Sequence, residues 1–170
     1  MNRKLLFAAV AASLALGPTA SFAHITLETG QATPGSGYKA VLRVPHGCAG
    51  SATTEIRLKV PEGFISAKPM PKAGWTLTIT KGPYAKSYEL FGSPVTEGAT
   101  EIVWSGGSLP DDQYDEFVVR GTLASDLEPG TTLYFPIIQT CADGEEAWID
   151  TSGGEDGTPA PGLKLVAPAQ

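Results

Sequence analysis

A histidine stands at the point where a secretory signal peptide would be cut from this sequence. His24 directly follows Ser21, Phe22 and Ala23, and the serine and alanine are small residues suited to positions −3 and −1 of a cleavage site. Cleavage after Ala23 would give His24 an α-amino group beside its imidazole, and the amine and Nδ1 together can chelate one metal ion. The amine has a reference pKa of about 7.7–8.0, so a metal displaces its proton near neutral pH. We therefore predict that His24 is a metal ligand; the alternative is that it follows the cleavage site by chance.

The first 23 residues have the three parts of a signal peptide. Arg3 and Lys4 form a positive start, and Leu5–Leu16 is an apolar stretch too short to span a bilayer. Removing this segment changes the formal charge from −6 to −8 and leaves enough chain for one domain with a sizeable core. An acidic protein is poorly suited to nucleic acid or to an anionic membrane. No second apolar stretch approaches membrane-spanning length, so we predict a soluble, exported protein without a membrane anchor, periplasmic in a Gram-negative cell.

A second histidine lies near a cysteine in the turn-rich loop 45–50. His46 precedes Cys48 by two residues, and the only other cysteine is Cys141. In an exported protein such a pair predicts a disulfide, with metal-binding thiols and two separate buried cysteines as the alternatives. The bond would close a loop of about 94 residues and stabilise the fold by roughly 4–5 kcal/mol.

This disulfide would also bring the loop of His46 toward a tryptophan. Cys141 ends a predicted strand over residues 131–141, and Trp148 follows it on the next predicted strand. The disulfide thus makes His46 and Trp148 candidate neighbours, and the sequence itself does not show that His24 joins them. The alternatives are an exposed loop histidine without a ligand role and a tryptophan that only packs in the core.

The predicted donor set favours copper. An amine with one or two imidazoles is rich in nitrogen, and nitrogen-rich tetragonal sites suit Cu(II), which stands at the top of the affinity order of divalent metals. Zinc is the main competitor, but a dedicated zinc site usually shows three or four His, Cys, Asp or Glu ligands.

Short strands position these residues. Apolar residues alternate with polar ones most clearly over residues 54–60, and no segment after residue 23 has a helical period. Gly- and Pro-rich turns separate the strands, which predicts an all-β sandwich of the immunoglobulin or fibronectin III type. Further strands are predicted over residues 25–28, 38–44, 64–67, 74–80, 84–91, 100–105, 114–124, 131–141 and 147–149.

Three features of composition set the expected limits of the domain. Residues 81–83, Lys-Gly-Pro, are predicted to form a turn, and Pro136 indicates a sheet edge or a bulge. Residues 151–170 are rich in Gly, Pro, Ala and acidic residues, which is typical of a flexible tail. We therefore predict a signal peptide over residues 1–23, one domain over 24–150 and a tail over 151–170.

An acidic group near the middle of the chain raises the alternative of calcium binding. It consists of Asp111, Asp112, Asp115 and Glu116. The group lacks the spacing of an EF-hand and spans a loop and the start of a strand. We expect a solvated loop instead.

Several segments in the same order resemble the YcnI-type copper-binding domains, in their proteobacterial branch. The resemblance covers residues 24 to about 150. The segments that carry it are His24–Glu28, Tyr38–Cys48, Thr53-Thr54, Ile56, Pro61–Gly63, Lys68–Lys72, Gly74-Trp75, Trp104–Gly107, Leu109-Pro110, Tyr114–Phe117, Leu133–Pro136 and Trp148.

The resemblance implies an exported β-sandwich that binds Cu(II) through its processed terminal histidine. The family site is a histidine brace with one histidine, a carboxylate and a nearby tryptophan. His24 and Trp148 match the histidine and the tryptophan. Where the family has its glutamate, this chain has His46-Gly47, so we hypothesise that His46 replaces the carboxylate.

Two glutamates are alternative ligands to His46. Glu28 follows His24 on the first predicted strand, and Glu55 lies on the strand over residues 54–60. Glu55 shares a strand face with Arg57 and Lys59, which is more typical of a solvated face than of a metal site.

The predicted function is a copper chaperone or buffer of the cell envelope that holds Cu(II) and passes it on without catalysis. Its expected partners are the copper ion and other periplasmic or membrane copper-handling proteins, and we expect no binding of nucleic acid. One alternative is a copper-dependent oxidative enzyme with the same terminal brace. Another is a metal-free interaction module of immunoglobulin type, which would tolerate extra residues before His24.

Overall fold

A computed structural model describes residues 24–154 and 157–168. The predicted signal peptide, with Ala23, lies outside the described residues. The described chain contains no helix that is long and apolar enough to cross a membrane. Its strands are β1 (Thr26–Leu27), β2 (Gln31–Ala32), β3 (Gly37–Val44), β4 (Thr53–Lys59), β5 (Phe64–Pro69), β6 (Thr76–Leu90), β7 (Ser93–Leu109), β8 (Asp115–Leu123), β9 (Thr132–Tyr134), β10 (Ile137–Cys141), β11 (Glu145–Trp148) and β12 (Gly162–Leu165).

Two sheets pack face to face around one core. The first sheet has the strand order β1-β3-β8-β5, and the second has the order β11-β10-β4-β7-β6. Leu42 and Phe117 from the first sheet and Ile56 and Trp104 from the second belong to the same buried cluster. Burial of apolar side chains from both sheets is the main stabilising contribution to such a fold. The predicted all-β sandwich is therefore confirmed.

The strand with the clearest alternation behaves as predicted. On β4, Ile56 and Leu58 are fully buried. Arg57 lies between them on the outer face and pairs with Glu55 at 2.7 Å and with Glu101 at 3.0 Å. The period of two thus separates the core face of this strand from its solvated face.

The turn predicted over residues 81–83 is wrong. β6 continues through Pro83 as one long strand, and its pairing with β7 shifts register between Pro83 and Tyr88. A proline fits there because β6 is the edge strand of the second sheet and the irregular pairing does not require its missing N–H group. The long β6–β7 hairpin reaches past the sandwich, where Tyr88 is buried in a small separate cluster with Ile65 and Ala124.

The tail predicted over residues 151–170 is also wrong for Gly162–Leu165. These residues form β12, which joins β2 and β9 in a third, small sheet. Leu163 and Leu165 point into the main core and are buried. Leu163 and Leu165, with one polar residue between them, are too short an alternation to predict a strand within a Gly- and Pro-rich segment. Tertiary packing stabilises the strand.

Pro136 marks a change of sheet. The predicted strand over residues 131–141 is divided into β9, which pairs with β12, and β10, which pairs with β4. Pro136 lies between the two and has no N–H group for either ladder. This break directs β10 and the following β11 to the edge of the second sheet, where Trp148 lies.

Candidate metal site

His24 lies at the open edge of the sandwich, between the two sheets. β1 pairs with β3 through Thr26 and Arg43, and the same register extended by two residues places His24 beside Pro45. The imidazole contacts the indole of Trp148 edge to face, with 5.6 Å between the ring centroids and 74° between the planes. The structure thus brings together the two residues that the sequence alone did not connect.

Trp148 is held by a buried glutamine. Trp148 is only 2% exposed, and its backbone lies opposite Ile137 in the β10–β11 ladder. Its Nε1–H donates to Oε1 of Gln139 at 3.0 Å. The amide nitrogen of Gln139 donates in turn to the carbonyl oxygen of His46 and to Oγ1 of Thr53, both at 2.8 Å. One side chain therefore links the tryptophan to the loop that carries the second histidine.

The loop of His46 is fixed by a tight turn and by a carboxylate. Cys48 and Ser51 exchange backbone hydrogen bonds of 3.0 and 2.9 Å. The N–H of Gly47 donates to Oδ1 of Asp111 at 3.0 Å. A Cβ atom at Gly47 would lie 1.8 Å from the carbonyl oxygen of Ser51, so only glycine allows this approach. The imidazole Nδ1 of His46 contacts the carbonyl oxygen of Gly47.

The predicted disulfide is confirmed and anchors this loop. Cys48 and Cys141 are bonded, with 5.9 Å between their Cα atoms. Cys141 ends β10, the strand that carries Gln139 on the same inward face. The bond and the glutamine amide thus fasten the loop to one strand at two points, which limits where the His46 side chain can move.

The backbone of Glu28 is separated from that of His24 along the first sheet. The N–H of Glu28 donates to the carbonyl oxygen of Val41 at 3.1 Å, so Glu28 lies four residues, or about 13 Å, further along the sheet than His24. Its charge acts elsewhere: burial first, and the carboxylate of Glu28 second, raise the pKa of Tyr38 to about 12.

Glu55 lies on the outer face of the second sheet. Its carboxylate accepts a hydrogen bond from Arg57, and its neighbours across the ladders are Thr140 and Ser105. Trp148 belongs to the core on the opposite face of this sheet. The predicted solvated face at Glu55 is the arrangement that the structure shows.

The acidic group over residues 111–116 is divided among separate contacts. Asp111 caps the His46 loop, Asp115 pairs with Lys72 at 2.6 Å and Glu116 accepts a hydrogen bond from Tyr114. Burial, and next the bond to Glu116, raise the pKa of Tyr114 to about 12. Within residues 24–154 and 157–168, no group of three or more His, Cys, Asp and Glu side chains is arranged to hold a metal ion.

Two residues of this edge were missed by the sequence analysis. Gln139 is 1% exposed and lies between two inward apolar residues, Ile137 and Cys141. A single amide on the buried face of a predicted strand could have indicated that it has a specific hydrogen-bonding role. Glu146 pairs with Gln139 across the ladder and therefore shares the face of β11 that carries Trp148. Of the two glutamates on β11, Glu146 is therefore the one on the same strand face as Trp148.

The sequence matches the family described as domain of unknown function (DUF1775) over residues 24–165. The chain belongs to this family. The matched range begins at His24 and ends at the last residue of β12, so the DUF1775 domain includes the strand that was predicted to be tail. A comparison with curated proteins finds no match.

Solved structures relate this DUF1775 domain to a known fold. A crystal structure of an uncharacterized protein from Nocardia farcinica, which reveals an immunoglobulin-like fold, is similar with a TM-score of 0.60 and 29% identity, over 84% of this chain and 98% of that chain. The predicted immunoglobulin-like sandwich is thereby confirmed. A Corynebacterium diphtheriae protein described as membrane anchored has a TM-score of 0.41 and 13% identity, over 85% of this chain and 34% of that one.

Proposed function

We propose that this DUF1775 domain is an exported Cu(II)-binding protein of the YcnI type, a copper chaperone or buffer without catalytic activity. The ion is its cargo, held by the amine and imidazole of His24 after processing, with His46 as a further ligand. The observation that carries the proposal is the packing of His24 against the buried indole of Trp148, at 5.6 Å between centroids.

The arrangement around His24 fits such an ion in three respects. The register of β1, extended to His24, brings its backbone beside Pro45, the residue before His46, which supports a site that includes both histidines. The donors are two imidazoles and an amine, a nitrogen-rich set that suits Cu(II). Trp148 and Gln139 supply a buried wall behind them, and such supporting contacts orient the ligands of metal sites.

The disulfide supports the exported location. Bonded cysteines persist in oxidising compartments and are rare in the cytosol. The bond between Cys48 and Cys141 therefore agrees with a signal peptide that ends at Ala23, and in a Gram-negative cell the compartment would be the periplasm.

Cu(II) binding to two forms of the protein tests the proposal. One form begins at His24, with its mass checked, and the matched control begins at Ala23 and so has no amine on the histidine. We expect tight one-to-one binding by the first form only, seen by electron paramagnetic resonance and by competition titration. Equal binding by both forms would remove the amine from the site. Binding by neither would favour a metal-free immunoglobulin-like module.

Replacing His46 with alanine in the processed form is expected to weaken Cu(II) binding by about tenfold or more. The fold should survive, because the carbonyl group of residue 46, and not its ring, accepts the bond from Gln139. Affinity and the nitrogen hyperfine pattern are the measurements. Unchanged values would exclude His46 as a ligand. In that case Glu146→Gln would test whether the carboxylate of Glu146 is the ligand instead, with Glu145→Gln, on the outer face of β11, as the control. Peroxide turnover with a reductant would instead indicate an oxidative enzyme.

A further inference from the structure

The end of the β6–β7 hairpin forms a groove with the outer face of the first sheet. The two strands pair out to Leu90 and Ser93, and the tip between them is Phe91-Gly92. The hairpin bends around the edge strand β5, since Tyr88 is buried against Ile65. Between the tip and the sheet lies a groove of about 320 Å³, lined by Ser66, Lys68, Leu90, Phe91, Arg120, Gly121 and Thr122.

A row of three cations crosses the sheet at this groove. Arg120 on β8 pairs in register with Lys39 on β3 and with Lys68 on β5. All three side chains are exposed on the outer face. Neighbouring strands lie about 4.8 Å apart, so the three positive charges form a short, regular line that enters the groove at Lys68 and Arg120.

No ion pair in the described part of the chain involves this row. The ion pairs there engage Arg57, Lys72 and Lys86 instead. The whole chain has a formal charge of −6. A line of three cations outside any ion pair makes the local electrostatic potential more positive, which favours binding of an anionic ligand.

Phe91 adds an exposed apolar group to the wall of the groove. Its side chain is 96% exposed, and its backbone is left-handed, with a φ of 53°. Two-residue hairpin turns of this kind favour Asn, Asp or Gly, and a left-handed conformation costs other residues about 1 kcal/mol or more. Neither the turn nor the core therefore explains a phenylalanine at the tip, and such residues often mark binding sites.

We propose that this groove binds an acidic segment of a partner protein. Carboxylates of the segment pair with Lys39, Lys68 and Arg120, and an apolar side chain contacts Phe91. Arg and Lys clusters recognise acidic motifs in this way, and charge complementarity selects the partner. The concave shape between hairpin and sheet suits a chain segment better than a flat lipid surface. The inference does not depend on copper, because the groove is lined by residues of β5, β6, β8 and the hairpin tip, whereas His24 precedes β1 and Trp148 lies on β11.

Fluorescence anisotropy with a labelled peptide of about twelve residues, rich in glutamate and containing two leucines, tests the proposal. We expect saturable binding at low salt, weakened about tenfold or more by the triple variant K39Q/K68Q/R120Q. The matched control K59Q/K81Q/K164Q removes the same charge from exposed lysines outside the groove and should change affinity less than about twofold.

The variant Phe91→Asn tests the apolar contact separately. Asparagine suits the left-handed tip, so the hairpin is retained while affinity for the peptide falls about threefold or more. Ile149→Asn, at an exposed position outside the groove, is the control. Three results would overturn the proposal: no saturable binding by the wild type, equal weakening by both triple variants, or binding to phosphatidylglycerol vesicles that the peptide does not displace.

Discussion

Replacing Cys48 and Cys141 together with alanine is expected to lower the free energy of unfolding by roughly 4–5 kcal/mol. The bond joins residues 93 positions apart, so its loss allows the unfolded chain many more conformations. This is a large fraction of the stability of a domain of this size. Urea denaturation under oxidising conditions measures the difference.

Reduction of the wild type provides the control for the disulfide. Dithiothreitol should lower wild-type stability to about the level of the double variant and leave the double variant unchanged. In the processed form, removal of the disulfide should also weaken Cu(II) binding, because the loop of His46 is then held to β10 mainly by Gln139. A loss of stability below about 1 kcal/mol would contradict the assigned role of the bond.

Replacing Gln139 with leucine is expected to destabilise the fold by about 3 kcal/mol or more. The amide is 1% exposed and bonds Trp148, His46 and Thr53 at 3.0, 2.8 and 2.8 Å. Leucine satisfies none of these groups, and each buried group left without a partner costs about 1–3 kcal/mol. Urea unfolding and the near-ultraviolet dichroism of the tryptophans measure the change.

A neighbouring variant separates this effect from a general weakening of β10. Thr140→Val changes the next residue, whose side chain is on the outer face and donates to Glu145, and should cost less than about 0.5 kcal/mol. In the processed protein, Gln139→Leu should also broaden the Cu(II) spectrum, because the loop of His46 is no longer linked to Trp148. Stability within about 1 kcal/mol of the wild type would show that the linked network is not required.

Much of this fold follows from local patterns in the sequence. The period of two on β4 predicted which face Ile56 and Leu58 bury and which face Arg57 exposes. The cysteine pair predicted the bond between Cys48 and Cys141. These predictions hold because the alternation of side chains is a property of the strand itself, whatever its partners.

The errors arise where tertiary contacts decide between local preferences. Residues 81–83 look like a turn, yet they continue an edge strand because the partner strand β7 is long enough to pair with them. Residues 162–165 look like tail, yet they pair with β9 and bury Leu163 and Leu165 in the main core. In both cases composition describes the segment in isolation, whereas burial and pairing stabilise it in the fold.

The sequence by itself determined the chemistry available to this protein: a histidine directly after a predicted cleavage site, a second histidine two residues before a cysteine, and an all-β chain. Only the tertiary structure decided which of these residues meet. His24 reaches Trp148 through the pairing of β1 with β3 and the packing of two sheets, and Gln139 joins Trp148 to the loop of His46. The contacts of His24 with Trp148 and of Gln139 with the loop of His46 join residues that are far apart in the sequence. Strand order and register depend on every strand between them, so local periodicity carries no information about such contacts.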